Sequence, residues 1–165
     1  MTDTDTDTGT VPRIDTLTFF DDLATAMNGA SAAYEVLGDV DMDLGVEMVR
    51  PGQGPFRVRL SFRGIQCTQV VALEPDEAWP TDCVLEGPLD AWAAMFADVR
   101  ANGHATGRQT INSLTLLADR IAARGTDPLG IDKFFRFNQT VQAFLDGAAG
   151  VAPAPVRATT GEGTP

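Results

Sequence analysis

The chain has 165 residues, 44% of them hydrophobic, and carries 12 basic against 23 acidic side chains for a net charge of −11. That length is enough for one domain with a real core. The acidity excludes the basic footprint that nucleic acid requires and sets the chain against anionic surfaces, so neither a nucleic-acid partner nor stable membrane insertion is expected.

Residues 1–13 are a Thr-Asp repeat ending near Pro12. They offer too little apolar surface to offset ordering entropy, and a disordered acidic tail is expected. The same segment is the opposite of a signal peptide. No apolar run reaches the ~18 residues of a membrane span. A cytoplasmic location follows by default. Residues 150–165, rich in Ala, Pro, Gly and Thr, form a second expected tail, which leaves a single domain at 14–149.

The first helix is expected at 16–28. Leu17, Phe20, Ala24 and Met27 share one face, Asp15 or Thr16 is placed to cap it, and Asn28-Gly29 is a natural stop. Strands follow. Met42, Leu44, Val46 and Met48 alternate with Asp41, Asp43, Gly45 and Glu47, and Phe56, Val58, Leu60 and Phe62 alternate with Arg57, Arg59, Ser61 and Arg63. A Pro-Gly turn at 51–55 joins them as an antiparallel hairpin. The arginines are expected to pair with Asp41, Asp43 and Glu47 across a solvated face. A third strand is expected at 66–73 and a fourth at 82–86. A helix opens at Gly87-Pro88 with Leu89, Trp92, Phe96 and Val99 as its stripe and Met95 beside it, and it ends at Asn102-Gly103. Residues 108–125 fit a short helix at about 108–117 followed by a short strand. The last helix is expected at about 129–146, with Gly147 closing it. Its sequence, DKFFRFNQTVQAFLDG, holds Phe134, Phe135, Phe137 and Phe144 on more than one stripe. The sum is α+β: an antiparallel sheet of about five strands with helices packed on one face.

Catalytic vocabulary is thin. His104 is the single histidine, placed in a loop with Asp98 or Asp119 as its nearest acids, and it reads as plain surface. Cys67 and Cys83 have no zinc spacing and no adjacent base, so they read as small buried hydrophobes. Lys133 is the single lysine and reads as solvated. Glu35, Asp39, Asp41 and Asp43 match no calcium loop. No catalytic residue, metal or cofactor is expected.

Three features carry a resemblance: the helix-then-sheet order, the strand FRVRLSFRG, and CVLEGPLDAWAAMF, where a late strand runs into a helix through a short turn with Asp90 and Trp92 close together. With the C-terminal ATGRQTINSLTLL and FFRFNQTVQAFLDGAA, they resemble the sterol-carrier-protein-2-like (sterol-binding domain) superfamily, in a bacterial branch. The resemblance covers most of 16–147. It implies a five-stranded sheet, helices on one face, and a hydrophobic pocket between them for a sterol, fatty acid or acyl-CoA-like lipid. The Ala- and Arg-rich stretch 117–125 and the acidity both depart from the family pattern.

The expected lining is Met42, Leu44, Val46, Phe56, Val58, Leu60 and Phe62 from the sheet. The helices add Trp92, Met95, Phe96, Phe134, Phe137, Asn138, Val141 and Phe144, with Asn138 as the polar group facing the apolar side. The expected function is non-enzymatic binding, possible transfer included, of an apolar small-molecule ligand. One alternative is an enzyme of steroid or polyketide-like metabolism using the same pocket, with His104, Asp90 and Asn138 as first suspects. Another is a homodimer or partner module with the aromatic helix as its interface.

Overall fold

A computed structural model describes residues 13–78, 80–117 and 120–151. The expected N-terminal tail lies outside the described residues apart from Arg13, and the C-terminal one apart from Gly150 and Val151. Helix α1 spans Leu17–Asn28; Thr16 caps it by accepting from the Phe19 N–H at 3.2 Å. A one-turn helix α2, Ser31–Glu35, follows and has no counterpart in the sequence reading. Four strands come next: β1 Val40–Val49, β2 Phe56–Gly64, β3 Gln66–Leu73 and β4 Cys83–Pro88. Helix α3 spans Leu89–Asn102 and stops at Gly103, whose φ of 84° is the left-handed conformation that glycine adopts without penalty. The ambiguous stretch resolves into a short 3-10 turn at Gly107–Gln109, helix α4 at Ile111–Leu116 and strand β5 at Ala122–Arg124.

The strand order is β3-β2-β1-β4-β5. β1, β2 and β3 form the expected antiparallel meander. β4 instead joins β1 in parallel, Leu44 opposite Cys83 and Glu47 opposite Glu86, so the sheet is mixed and mostly antiparallel. The reason is the connection: the chain leaves β3 at one edge and re-enters beyond β1, too far for a tight turn. Arg57 on β2 donates to the Glu74 and Glu77 carbonyls at 2.6 and 3.0 Å, which ties the start of that connection over the face away from the helices. At its end, Asp82 and Asp43 exchange bonds of 2.8 Å in both directions, delivering β4 in register.

The last helix is two helices. α5 runs Pro128–Arg136, capped by Asp127, and α6 runs Asn138–Asp146, with Phe137 at φ −104° and ψ 18° between them. In one straight helix Thr140 and Phe144 would lie well off the stripe of Phe134, Val141 and Leu145. The break turns α6 so that all five are buried. Gly147 ends α6 in right-handed geometry and leads into a further 3-10 turn at Gly147–Gly150. Gly130 lets α5 lie directly on the strand layer: a Cβ there would overlap the Asp82 carbonyl.

The helices cover one face of the sheet. α1 lies against β3, α3 against β1 and β4, and α6 against α1, α3 and α4. At the open edge of β3, the Asn28 side chain accepts from Cys67 N at 2.9 Å and donates to Cys67 O at 3.0 Å. It thereby pairs backbone groups that an edge strand would leave exposed.

Candidate functional site

The covered face of the sheet and the helices above it form one apolar layer. Met42, Leu44, Val46, Val58, Leu60 and Phe62 project from the strands because alternate residues of a strand share a face; none is more than 1% exposed. Trp92, Met95 and Phe96 come down from α3, Phe134 from α5, and Val141 and Phe144 from α6, and all are buried. Phe56 and Phe137 pack partly buried at the margin, and Asn138 is half-buried at the first turn of α6. The structure therefore brings the expected apolar lining residues into a single cluster, with Phe56 and Phe137 at its rim. The aromatic helix meets the strand opposite it: the Phe62 and Phe144 rings stand edge to face, centroids 5.2 Å apart. Phe20 stacks on Phe56 at 6.0 Å and Phe19 meets Phe96 edge-on at 4.9 Å.

Helix α1, which the expected lining omits, adds to the same apolar layer. Phe20, Leu23 and Met27 are at most 1% exposed and belong to the same cluster; the helical spacing of Phe20, Ala24 and Met27 is the signal that α1 has a core face. Met27, Met42, Met48 and Met95 all sit in the layer at 1% exposure or less. Their unbranched, polarisable side chains re-pack more readily than branched ones. One buried donor of the layer, Trp92 Nε1, has no partner among the described residues. Two shallow recesses adjoin it. A groove of about 490 Å³ is lined by Val49, Pro51, Pro88, Leu89, Asp90 and Ala93 at the first turn of α3. A recess of about 90 Å³ lies beside Ile14, Phe19, Phe96 and Ala148.

The opposite face of the sheet differs from the expected solvated surface. Arg63 pairs with Asp43 at 3.0 Å and Asp41 at 3.5 Å, and Arg59 donates to the Gln69 side chain at 3.0 Å. Arg57, however, is only 4% exposed, because the segment after β3 covers it. Its guanidinium lies 3.4 Å from Glu47, and the parallel β1–β4 pairing sets Glu47 beside Glu86. Arg124 on β5 reaches both carboxylates, Glu47 at 3.6 Å and Glu86 in closer contact. Burial, and then Glu86, push Glu47 up to about 7 against the pull of the two arginines. A cleft of about 410 Å³ opens here, lined by Glu47, Thr81, Val84, Arg124, Gly125 and Thr126.

The enzymatic suspects are not assembled. Asp90 pairs with Arg120 at 2.8 Å on the surface. His104 is exposed, with Nδ1 near the Ala105 carbonyl. The Asp98 carboxylate is engaged by Thr106 and Asn102. Cys67 and Cys83 are free and buried, and burial pushes each thiol up to about 11, so neither is a thiolate near neutral pH. Among the described residues no group of three or more His, Cys, Asp or Glu could hold a metal ion. No helix there is long and apolar enough to cross a membrane.

No protein-family model and no curated protein sequence matches this chain. Solved structures do match its fold. A crystal structure of sterol carrier protein 2 is similar with a TM-score of 0.65 and 16% identity, over 85% of this chain and 100% of that one. The solution structure of a conserved hypothetical protein of Thermus thermophilus, described as possibly a sterol carrier protein, is similar with a TM-score of 0.67 and 17% identity, over 87% and 92%. The architecture is thus a sterol-carrier-protein-2-like α+β fold, as the resemblance implied.

Proposed function

We propose that this protein binds an apolar small molecule, of the sterol, fatty-acid or acyl-CoA-like class, between the sheet and the helices. The observation that carries the reading is the likeness of nearly the whole described fold to sterol carrier protein 2. The apolar layer supports it: the proposed apolar lining residues share one cluster, and four methionines within that cluster give it room to re-pack. In this reading the sheet side chains Met42 to Phe62 form the floor, α3 one wall, and Phe134, Phe137, Asn138, Val141 and Phe144 the roof. The ligand then lies within the layer, among side chains that can re-pack around it.

The test is to measure bound ligand directly. Native mass spectrometry and thermal unfolding of the purified protein should show a one-to-one adduct and a rise in Tm with cholesterol or palmitate, because a ligand of the folded state stabilises it by mass action. No adduct and no rise with either ligand, at concentrations that saturate a known carrier, would overturn the proposal.

A further inference from the structure

The apolar layer holds one buried side-chain donor whose chemistry the packing does not use. Trp92 is 0% exposed, and its Nε1–H meets neither a protein acceptor among the described residues nor solvent. Buried polar groups nearly always find a partner, and a native exception asks for an explanation. An indole nitrogen donates and cannot accept. What completes it is therefore an acceptor that none of the described residues supplies.

The surroundings narrow the kind of acceptor. The one arginine among the described buried residues, Arg57, lies on the other face of the sheet. Lys133 is partly exposed and held by Asp82 at 3.4 Å. An ionised carboxylate carried to Trp92 would be desolvated with no counter-charge, whereas a neutral hydroxyl or carbonyl gains a hydrogen bond at no such cost. The groove at the first turn of α3 is lined by Leu89, one helical turn before Trp92, and by Ala93, its neighbour.

We infer that Trp92 Nε1 is the polar anchor of the ligand layer, and that the ligand it selects is a neutral apolar molecule bearing a hydroxyl or carbonyl oxygen, rather than a hydrocarbon or a fatty-acid anion. This rests on the proposed apolar-ligand function and specifies its ligand class.

Three probes test it: cholesterol, cholestene (the same skeleton without the hydroxyl) and palmitate, each titrated against wild type and Trp92→Phe. Wild type should bind cholesterol about five- to tenfold more tightly than cholestene, the worth of one hydrogen bond, and more tightly than palmitate. Trp92→Phe should erase the preference over cholestene by weakening cholesterol alone. In a Trp79→Phe background, where Trp92 is the single indole, cholesterol should shift the emission to the red and cholestene should not. Equal affinity of wild type for cholesterol and cholestene overturns the anchor, and needs no folded variant. Equal weakening of both by Trp92→Phe reduces Trp92 to packing and also overturns it. Palmitate binding as tightly as cholesterol overturns the neutral-ligand part. In those outcomes the apolar-ligand function stands; failure of all three probes on wild type removes that function, and the anchor with it.

Discussion

The two faces of one sheet are built on opposite principles. The face under the helices is held by apolar contact, with methionines and phenylalanines meeting across it. The other face is held by a charge lattice in which Arg57, Glu47, Glu86 and Arg124 link four strands. Apolar packing is non-directional and can be rearranged, whereas paired charges tolerate little displacement. In the proposed reading the apolar face is the one that meets the ligand, and the charged face ties the strands together behind it. The comparison predicts that substitutions on the inner face alter stability and ligand response together, and that substitutions on the outer face alter pH dependence.

The largest effect belongs to the roof. Phe144→Ala removes the ring that meets Phe62 and should cost about 3–5 kcal/mol in denaturant unfolding. Because the lost volume lies in the proposed ligand layer, an apolar ligand should raise the Tm of this variant more than that of wild type. An equal or smaller rise would place the ligand elsewhere. Gly130→Ala comes next, at about 2–3 kcal/mol, since a methyl there collides with the Asp82 carbonyl and levers α5 off β4. It strains backbone rather than emptying the layer, so added ligand should not preferentially rescue it.

Glu47 tests the outer face. Its carboxyl, ordinarily near 4.5, is pushed up to about 7. The folded protein therefore holds a proton that the unfolded chain has released. That contribution to stability is complete below about 4.5 and is lost as pH rises toward about 7. Groups facing it are Arg57 on β2, Glu86 on β4 and Arg124 on β5. Glu47→Gln should flatten the decline between those pH values and add about 1–3 kcal/mol above neutrality. An unchanged slope of unfolding free energy against pH would show that Glu47 is ionised throughout. Asn28→Ala, which frees the two Cys67 backbone groups at the β3 edge, should cost about 1–2 kcal/mol, with no change in that slope.

The sequence made one face readable and hid the other. Period-two alternation in β1 and β2 placed Met42 to Met48 and Val58 to Phe62 on one side, and helical spacing placed Trp92 and Phe96, because burial writes its period into the chain. The roof was half legible: Phe134 and Phe144 were visible as core aromatics, but the break at Phe137 was not, because no proline or glycine marks it. The Glu47–Glu86 pairing was illegible. It depends on a parallel register between strands that are not consecutive, and local pattern carries no information about such a partner. The same register decided that Arg57 would be roofed over instead of solvated.

The smallest effect should come from a residue on neither face. His104 stands exposed beyond the end of α3, with Nδ1 against a neighbouring carbonyl and no carboxylate held for it. A general base must reach both its substrate and an orienting partner, and here the Asp98 carboxylate is bound by the Thr106 N–H at 2.6 Å. His104→Ala should therefore leave unfolding free energy within about 0.5 kcal/mol of wild type and leave cholesterol affinity unchanged. A drop in ligand affinity with stability intact would mean that the loop after α3 reaches the ligand. The inner layer would then extend past the helix that closes it, and the division between one adaptable face and one fixed face would have to include a third, mobile boundary.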